Sequence, residues 1–523
     1  MTGPVPETID DGPGQRGVEV RRVDASHLVP SLRDGSRPGE AARLADLFGS
    51  REDGRLVLRA VLAADTEGRY VIIEWDVDGD EYPAISEAWP AAFVEECEIY
   101  EQFGARPAGG KSLNRVLVPP HAEREFPRLG EPPRRDPSTV RARYFVAGEA
   151  FEFPVGPVRG VGQESLYMGL VTTGEEVLDL YLHQWHKHRG IERRVQGMEL
   201  DRGLFFVERA EGLSAVANGW AYCRAAEAAT RCRPTPGVER TRVVALELER
   251  IYNHTAAIAA LCQATGLSVG QAQAEMALED LLRLNLAAAG HRYLFGLLCV
   301  GGVTRPVDAR AIRALLPPAV DGLRRVVGAL TTTNSFLDRL ESAGIVPEDT
   351  AGRLGLVGPV ARASGQAIDC RTDHFVPHYK DHGLQVPVRR GGDVLSRMQV
   401  MVDEVEESTR IVGEMVRGEL ESGACACSSG SGSGGSGSGS GGSGGSGSGS
   451  GAASALGWCE SPRGESLVWL AIDGAGQIAR ARLRPASVRN WRAFDDAARS
   501  RNVFTDIPII EASFWLTVAG FAR

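Results

Sequence analysis

From Ser428 to Gly451 every residue is glycine or serine. Such a run has nothing to bury and behaves as a flexible coil. The piece after it is short, and Gly457 to Arg484 alternates apolar and polar residues as Leu467 to Ile472, an Asp473-Gly474 turn, then Ile478 to Leu483. That is a β-hairpin signature, and an isolated two-stranded ribbon is marginal in water. The hairpin must dock on what precedes it, so both sides of the run are expected to belong to one domain. The run is read as an insertion in a surface loop, whose closure cost grows slowly with length; the alternative is a spacer between independent domains.

At 523 residues the chain has room for two to four domains. A hydrophobic fraction of 43% supports a sizeable core. A formal charge of −10 argues against a phosphate grip, so nucleic acid is excluded as a partner. Nine scattered cysteines, the closest pair being Cys425 and Cys427, form no Cys-x-x-Cys and fit a reducing compartment. Residues 1–24 are rich in Pro, Gly and acids and are read as a disordered cytoplasmic terminus. The most apolar stretch, Tyr293 to Val303, is about half a bilayer span, so any membrane association must come through partners.

Five segments are expected: the terminus 1–24, a first domain 25–139, a second domain 140–427, the Gly/Ser run 428–451, and 452–523 completing the second domain. In the first, Arg55 to Ala63 and Arg69 to Trp75 read as strands joined by a turn at Gly68, and Trp89 to Gly104 reads as helical. Phe126 to Arg135, rich in Pro and Arg, is a connector. In the second, Thr241 to Cys262 places Val244, Leu248, Ile251 and Ile258 on one helical face with Glu249 and Arg250 off it. Ser268 to Ala288 and Val307 to Gly344 look similar, the latter broken at Pro317 and Pro318. Asp393 is an N-cap for a helix to about Val416, with Val394, Met398, Met401 and Val405 as its apolar stripe. The fold class is α+β: a small N-terminal α/β domain, then a helix bundle with peripheral hairpins.

His183, His186 and His188 share no single face on a helix or a strand, which argues against a metal site there. Gly290 and the Gly301-Gly302 pair follow a helix end, where glycine permits positive φ. No dinucleotide fingerprint occurs. Trp89, Trp185, Trp220 and Trp491 are read as core anchors.

Several stretches resemble, in order, the fused 30 kDa and 49 kDa subunits of respiratory complex I and the large subunit of formate hydrogenlyase, a group 4 nickel-iron hydrogenase. Val94 to Gly104 is similar to the 30 kDa signature. Gly174 to Asp179 with His188-Arg189-Gly190-Ile191-Glu192 resembles the opening of the 49 kDa and hydrogenase large subunits. So do Leu246 to His254, Gly290 to Tyr293, Gly392-Asp393-Val394 with Arg397, Glu404, Ser408 and Arg410, and Glu460 to Glu465.

The resemblance implies a metal centre held by two cysteine pairs, because soft thiolates bridge nickel and iron. Glu211 and Ser214 stand at the first pair's positions, Thr517 and Gly520 at the second's. The centre is therefore expected to be absent, with no cofactor bound directly and no metal ligands. The tyrosine that receives a quinone in the complex I branch falls at Gly212, and the loop Gly156 to Gly162 contains Arg159 but no histidine. Glu164 falls on the family's proton-relaying glutamate. Glu164 and Glu211 are the candidate proton relay; the alternative pairs them with Arg159 and Arg209 in ion pairs. His188, Arg189 and Arg209 are candidates for lining the cavity.

The resemblance further implies a subunit of a membrane-bound oxidoreductase complex of the NADH-quinone or formate hydrogenlyase type, on the cytoplasmic side of the cell membrane. Its expected partners are an iron-sulfur small subunit that carries the cluster, integral membrane subunits resembling ion pumps, and quinone as a candidate ligand. The alternatives are a non-catalytic scaffold for assembly or ion-pump coupling, and an active nickel-iron hydrogenase.

Overall fold

The computed structural model describes residues 15, 17–24, 28–33, 42–109, 113, 116–117, 150–160, 163–184, 186–424, 453–499 and 502–523. The connector Phe126 to Arg135, the Gly/Ser run, Cys425, Cys427 and Trp185 lie outside the described residues.

Strands Arg43–Glu52, Arg55–Ala64 and Arg69–Val77 form an antiparallel meander. Gly68, at φ 69°, makes the turn before the third strand. The edge beyond Arg69–Val77 is occupied by Val18–Arg22, paired in parallel with Val18 opposite Tyr70. This corrects the reading of residues 1–24 as wholly disordered: Val18–Arg22 completes the sheet, helped by pairs from Glu19 to Arg69 and from Arg22 to Asp76. Helix Phe93–Phe103 packs on Arg43–Glu52 and ends at Gly104, φ 82°. It begins four residues later than the expected start at Trp89 because Pro90–Ala92 forms a 3-10 turn first.

The second domain is built around helix Pro236–Ala264, flanked by Ser268–Ala289, Val394–Met415 and Ile507–Phe514. Thr235 caps its start and Pro236 occupies the first turn. The stripe Val244, Leu248, Ile251 and Ile258 is buried as expected. Glu249 and Arg250, expected off the apolar face, are also fully buried, because the helix is covered on every side.

Helix Ala309–Leu330 runs straight through Pro317 and Pro318, contrary to the expected break. The carbonyls those prolines leave without donors belong to Arg313 and Ala314, both exposed residues on the solvent side of the helix. The stripe Ile312, Leu316, Val320, Leu323, Val326 and Leu330 meanwhile stays buried across the prolines. Asp393 caps Val394–Met415 by accepting from the Ser396 N–H at 2.8 Å.

Beyond the Gly/Ser run the expected hairpin is present as Gly464–Ile472 and Ile478–Arg484. A strand not foreseen, Ala453–Ser461, extends it to a three-stranded antiparallel sheet. The sheet lies on helix Ala215–Thr230, and Gly457 sets the approach: a Cβ there would fall 1.9 Å from the Ala221 carbonyl. On the other side of the run, Gly423–Ala424 pairs with Gly302–Val303 of the same body. Both flanks of the run thus pack on elements that precede it in the chain. A third sheet, Phe151–Val155, Tyr167–Thr172 and Val177–His183, closes the far side. Trp220 and Trp491 anchor the core as expected, whereas Trp89 is only partly buried; Trp75 and Trp458 are the further anchors. Among the described residues no helix is long and apolar enough to cross a membrane.

Candidate functional site

The residues 209–214 lie between helices Leu200–Val207 and Ala215–Thr230, and residues 515–520 follow helix Ile507–Phe514. Folding brings these two stretches, some 300 residues apart in sequence, against each other. Glu211 is fully buried. Its Oε1 accepts from Ser487 Oγ at 2.6 Å and from Thr517 Oγ1 across the gap. A Cβ on Gly520 would lie 3.6 Å from the same oxygen. Ser214 Oγ accepts from Arg463 Nη1 at 2.8 Å. Two hydroxyls, one carboxylate and a glycine thus occupy the four positions singled out in the sequence. This donor set contains no thiolate and does not fit a bridging nickel-iron centre.

Glu164 reaches the same place from the start of the domain. Its carboxylate accepts from the Val518 N–H and, at 3.2 Å, from the Ala519 N–H. Glu211 and Glu164 therefore bond to consecutive residues of one loop. Burial raises the Glu164 carboxyl above the ordinary range; the Val518 N–H opposes this and the Glu211 charge adds to it. Among the described residues, Glu211 Oε2 is buried with no hydrogen-bond partner.

The ion pairs considered as the alternative for these acids are not formed. Arg159 pairs with Glu511 at 2.7 Å, and only its Nε reaches the Glu164 backbone carbonyl, at 2.9 Å. Arg209 does not line the site: its side chain is 40% exposed, bonds Glu208 at 3.4 Å and stacks on Phe205, 3.7 Å from the ring centre. The aromatic face holds the guanidinium outward. Its backbone carbonyl takes part instead. Arg189 donates to the carbonyls of Arg209 at 2.9 Å and Ala519 at 2.8 Å and to that of Ala210, clamping the two stretches together. Burial lowers the Arg189 pKa, and Glu164 and Glu211 oppose that. His188 is turned elsewhere. Burial lowers its pKa, and the charges acting on it are chiefly those of Glu192, Arg523 and Glu98 at the junction between the domains.

Sequence reasoning missed the residues that fill the space between the stretches. The Arg463 guanidinium reaches Ser214, the Trp515 carbonyl and, at 3.4 Å, Asn253 Oδ1. Trp515 Nε1 donates to the same Asn253 oxygen at 3.3 Å. Behind them Glu249 accepts from Val216 N at 2.7 Å and Ala217 N at 3.0 Å, and burial pushes its carboxyl up to about 8. Arg463 lay inside the Glu460 to Glu465 motif, so its importance was signalled. Asn253 likewise lay inside the Leu246 to His254 motif, though neither motif showed which contacts its residue makes.

His183 ends a strand, and its ring packs on Tyr167 and Tyr181 at 5.5 Å each, away from His188. Among the described residues, Asp65, His374 and Glu465 are three donors whose ligand atoms lie within 4.8 Å of one another. There Arg43 bridges Asp65 at 3.0 Å and Glu465 at 2.8 Å, so a guanidinium already supplies the positive charge.

Fold and site define a helical body joined to an α/β domain, with two hydroxyls, a carboxylate and a glycine at the four positions singled out in the sequence. Residues 18–140 match the family described as the respiratory-chain NADH dehydrogenase 30 Kd subunit, and residues 273–429 match the 49 Kd subunit of the same enzyme. The chain is a fusion of these two domains. It is 26% identical to formate hydrogenlyase subunit 5 of Escherichia coli (strain K12) over 494 residues, covering 90% of this chain and 83% of that one. It is 27% identical to an NADH-quinone oxidoreductase subunit of Opitutus terrae over 296 residues, covering 55% and 68%. A chain of the membrane-bound sulfane sulfur reductase, an archaeal respiratory membrane complex, shares the fold with a TM-score of 0.63 at 19% identity, covering 73% of this chain and all of that one.

Proposed function

We propose that the chain is the large peripheral subunit of a membrane-bound oxidoreductase assembly on the cytoplasmic side of the membrane. An iron-sulfur small subunit brings electrons, and integral membrane subunits hold the assembly at the bilayer. The relatives named for NADH-quinone oxidoreductase and formate hydrogenlyase support this reading. The site holds no nickel-iron centre and works as a proton-holding carboxyl pair. The observation that carries this is Glu211, fully buried, with one carboxylate oxygen lacking a partner and Glu164 bound to the neighbouring residues of the same loop. Burial and the charge of Glu211 raise the Glu164 carboxyl above its ordinary range, which favours its carrying a proton. With a quinone as acceptor, two electrons from the iron-sulfur partner and two protons give the quinol; Glu164, which is partly exposed, hands over one proton, is reprotonated from solvent and hands over the second. Arg189 and Arg463 fix the loops that hold the pair and balance its charge.

The test is the pH profile of quinone-linked turnover in the purified assembly. Glu211→Gln and Glu164→Gln are each expected to lower turnover by about 100-fold, in line with the loss of general acid-base catalysis. An unchanged rate and profile in both variants overturns the proton-holding role. Nickel near one equivalent in the active assembly overturns the reading of the ligand positions.

A further inference from the structure

Away from this site, the bundle contains a closed ring of charges. Glu247 and Arg250 on helix Pro236–Ala264 pair at 3.0 Å. Arg250 reaches Glu404 of helix Val394–Met415 at 3.7 Å, and Glu404 pairs with Arg362 of helix Gly358–Ala363 at 2.6 Å. Arg362 meets Asp369 at 3.1 Å, Asp369 meets Arg371 at 2.6 Å, and Arg371 returns to Glu247 at 3.2 Å. Three carboxylates alternate with three guanidiniums, all of them buried, so the ring is neutral.

Glu460, on strand Ala453–Ser461, is attached to this ring as a seventh ionisable group. Its Oε1 accepts from Arg362 Nη1 at 2.9 Å and its Oε2 from the Cys370 N–H at 3.2 Å. It is 1% exposed. The groups facing it are accounted for on each packed element. Arg250, Arg362, Arg371, Asp369 and Glu404 belong to the ring. Glu465, directly opposite across the sheet, is neutralised by Arg43 and Arg484. His254 bonds Glu404 at 2.8 Å, and burial between Arg250 and Arg362 lowers its pKa, so it adds no charge. The thiols of Cys370 and Cys459 are pushed up by burial and stay neutral. Arg224, beyond those thiols, turns to the Phe375 carbonyl at 2.6 Å and lies over Trp458. Ionising Glu460 thus puts an uncompensated charge in a buried site, which is steeply unfavourable.

We propose that Glu460 is a second proton-carrying site, holding its proton in the resting protein while the ring around it stays ionised. Burial, with the Asp369 charge next in weight, pushes its carboxyl up to about 7, so the proton is exchangeable near neutrality. The turn after it leads directly to the candidate site. Arg250 holds the carbonyls of Glu460 at 2.7 Å and Ser461 at 3.1 Å, Ser461 Oγ accepts from Arg463 N at 3.2 Å, and the Arg463 side chain reaches Ser214. A change of charge at Glu460 is therefore felt by the residue that spans the two site loops. This proton site is independent of the role given to Glu164 and Glu211.

Infrared difference spectra of the full-length protein, stepped from about pH 6 to about pH 9, test it through the carbonyl stretch of un-ionised carboxyls. The unmodified protein is expected to lose a set of such bands as pH rises, Glu249 and Glu208, pushed up to about 8 and about 7, supplying two of them; Glu460→Gln is expected to lack one further band of the set, which Glu211→Gln and Glu249→Gln keep. Absence of any such band in the unmodified protein overturns the proposal. So does a set of bands in Glu460→Gln identical to that of the unmodified protein, or loss of the further band in Glu211→Gln instead. If Glu460→Gln fails to fold, Glu460→Asp keeps a carboxyl one methylene shorter, and a band whose frequency and midpoint do not move in that variant overturns the assignment.

Discussion

Buried arginines do much of the organising in this protein, and each depends on particular carboxylates. Arg371 touches Asp369 and Glu247, all three nearly or fully buried. Arg371→Met is expected to cost roughly 3 to 5 kcal/mol, because two carboxylates lose a shared partner; the midpoint of urea unfolding measures it. Gly457→Ala places a methyl on the Ala221 carbonyl and is expected to destabilise by about 1 to 3 kcal/mol or more, read in the same way. The candidate site was legible as a set of positions but not as a structure. Glu211 and Glu164 bond neighbouring residues of one loop, yet nothing in the local sequence shows Thr517 bonding Glu211 or Arg209 turning outward onto Phe205. Such contacts span hundreds of residues and are set by tertiary packing, which periodicity does not encode.

At the level of helices and strands, the apolar periodicity located helix Ser268–Ala289 to within a residue and the Asp393 cap outright. It failed where a local rule was overridden. Pro317 and Pro318 are tolerated because the bonds they lose face water while the opposite stripe stays packed. Replacing both with alanine restores two hydrogen bonds and is expected to stabilise by about 1 to 3 kcal/mol, net of the entropy proline removes from the unfolded chain; a rise in melting temperature checks this. Asp393→Ala should cost about 1 kcal/mol through loss of the cap. Strand Ile478–Arg484 was legible as a strand but not for its charge. Arg480, Arg482 and Arg484 alternate as residues on a solvated face do, yet all are buried. Their partners are Glu192, Asp46 with Glu98, and Glu465. The acid-rich Phe93–Phe103, with Glu95, Glu96, Glu98 and Glu101 buried, was the matching signal.

Over the whole molecule, these pairs join the two domains. Arg482 binds Asp46 and Glu98, Arg523 binds Glu98 and Glu192, Arg43 binds Glu465, and Arg489 binds Glu95. Glu192, buried among Arg480, Arg482 and Arg523, is held at about 2, and Glu247, beside Arg250 and Arg371, also at about 2, against an ordinary 4.5. Depressed carboxyls stabilise the fold above their unfolded pKa and lose that contribution as pH falls toward the folded value, so each accounts for up to roughly 3 kcal/mol that disappears between about pH 5 and about pH 2. Acid unfolding followed by circular dichroism should show a steep loss across that window, shifted upward in Arg482→Met. Cutting the Ser428 to Gly451 run to half its length should change stability by less than about 1 kcal/mol, since loop closure depends only logarithmically on length.

The junction also sets an order of events during synthesis. Asp46, Glu95 and Glu98 leave the ribosome long before Arg482, Arg489 and Arg523 exist to neutralise them. Until translation reaches those final arginines, the junction face of the domain made first keeps these acids without the partners they have in the finished protein.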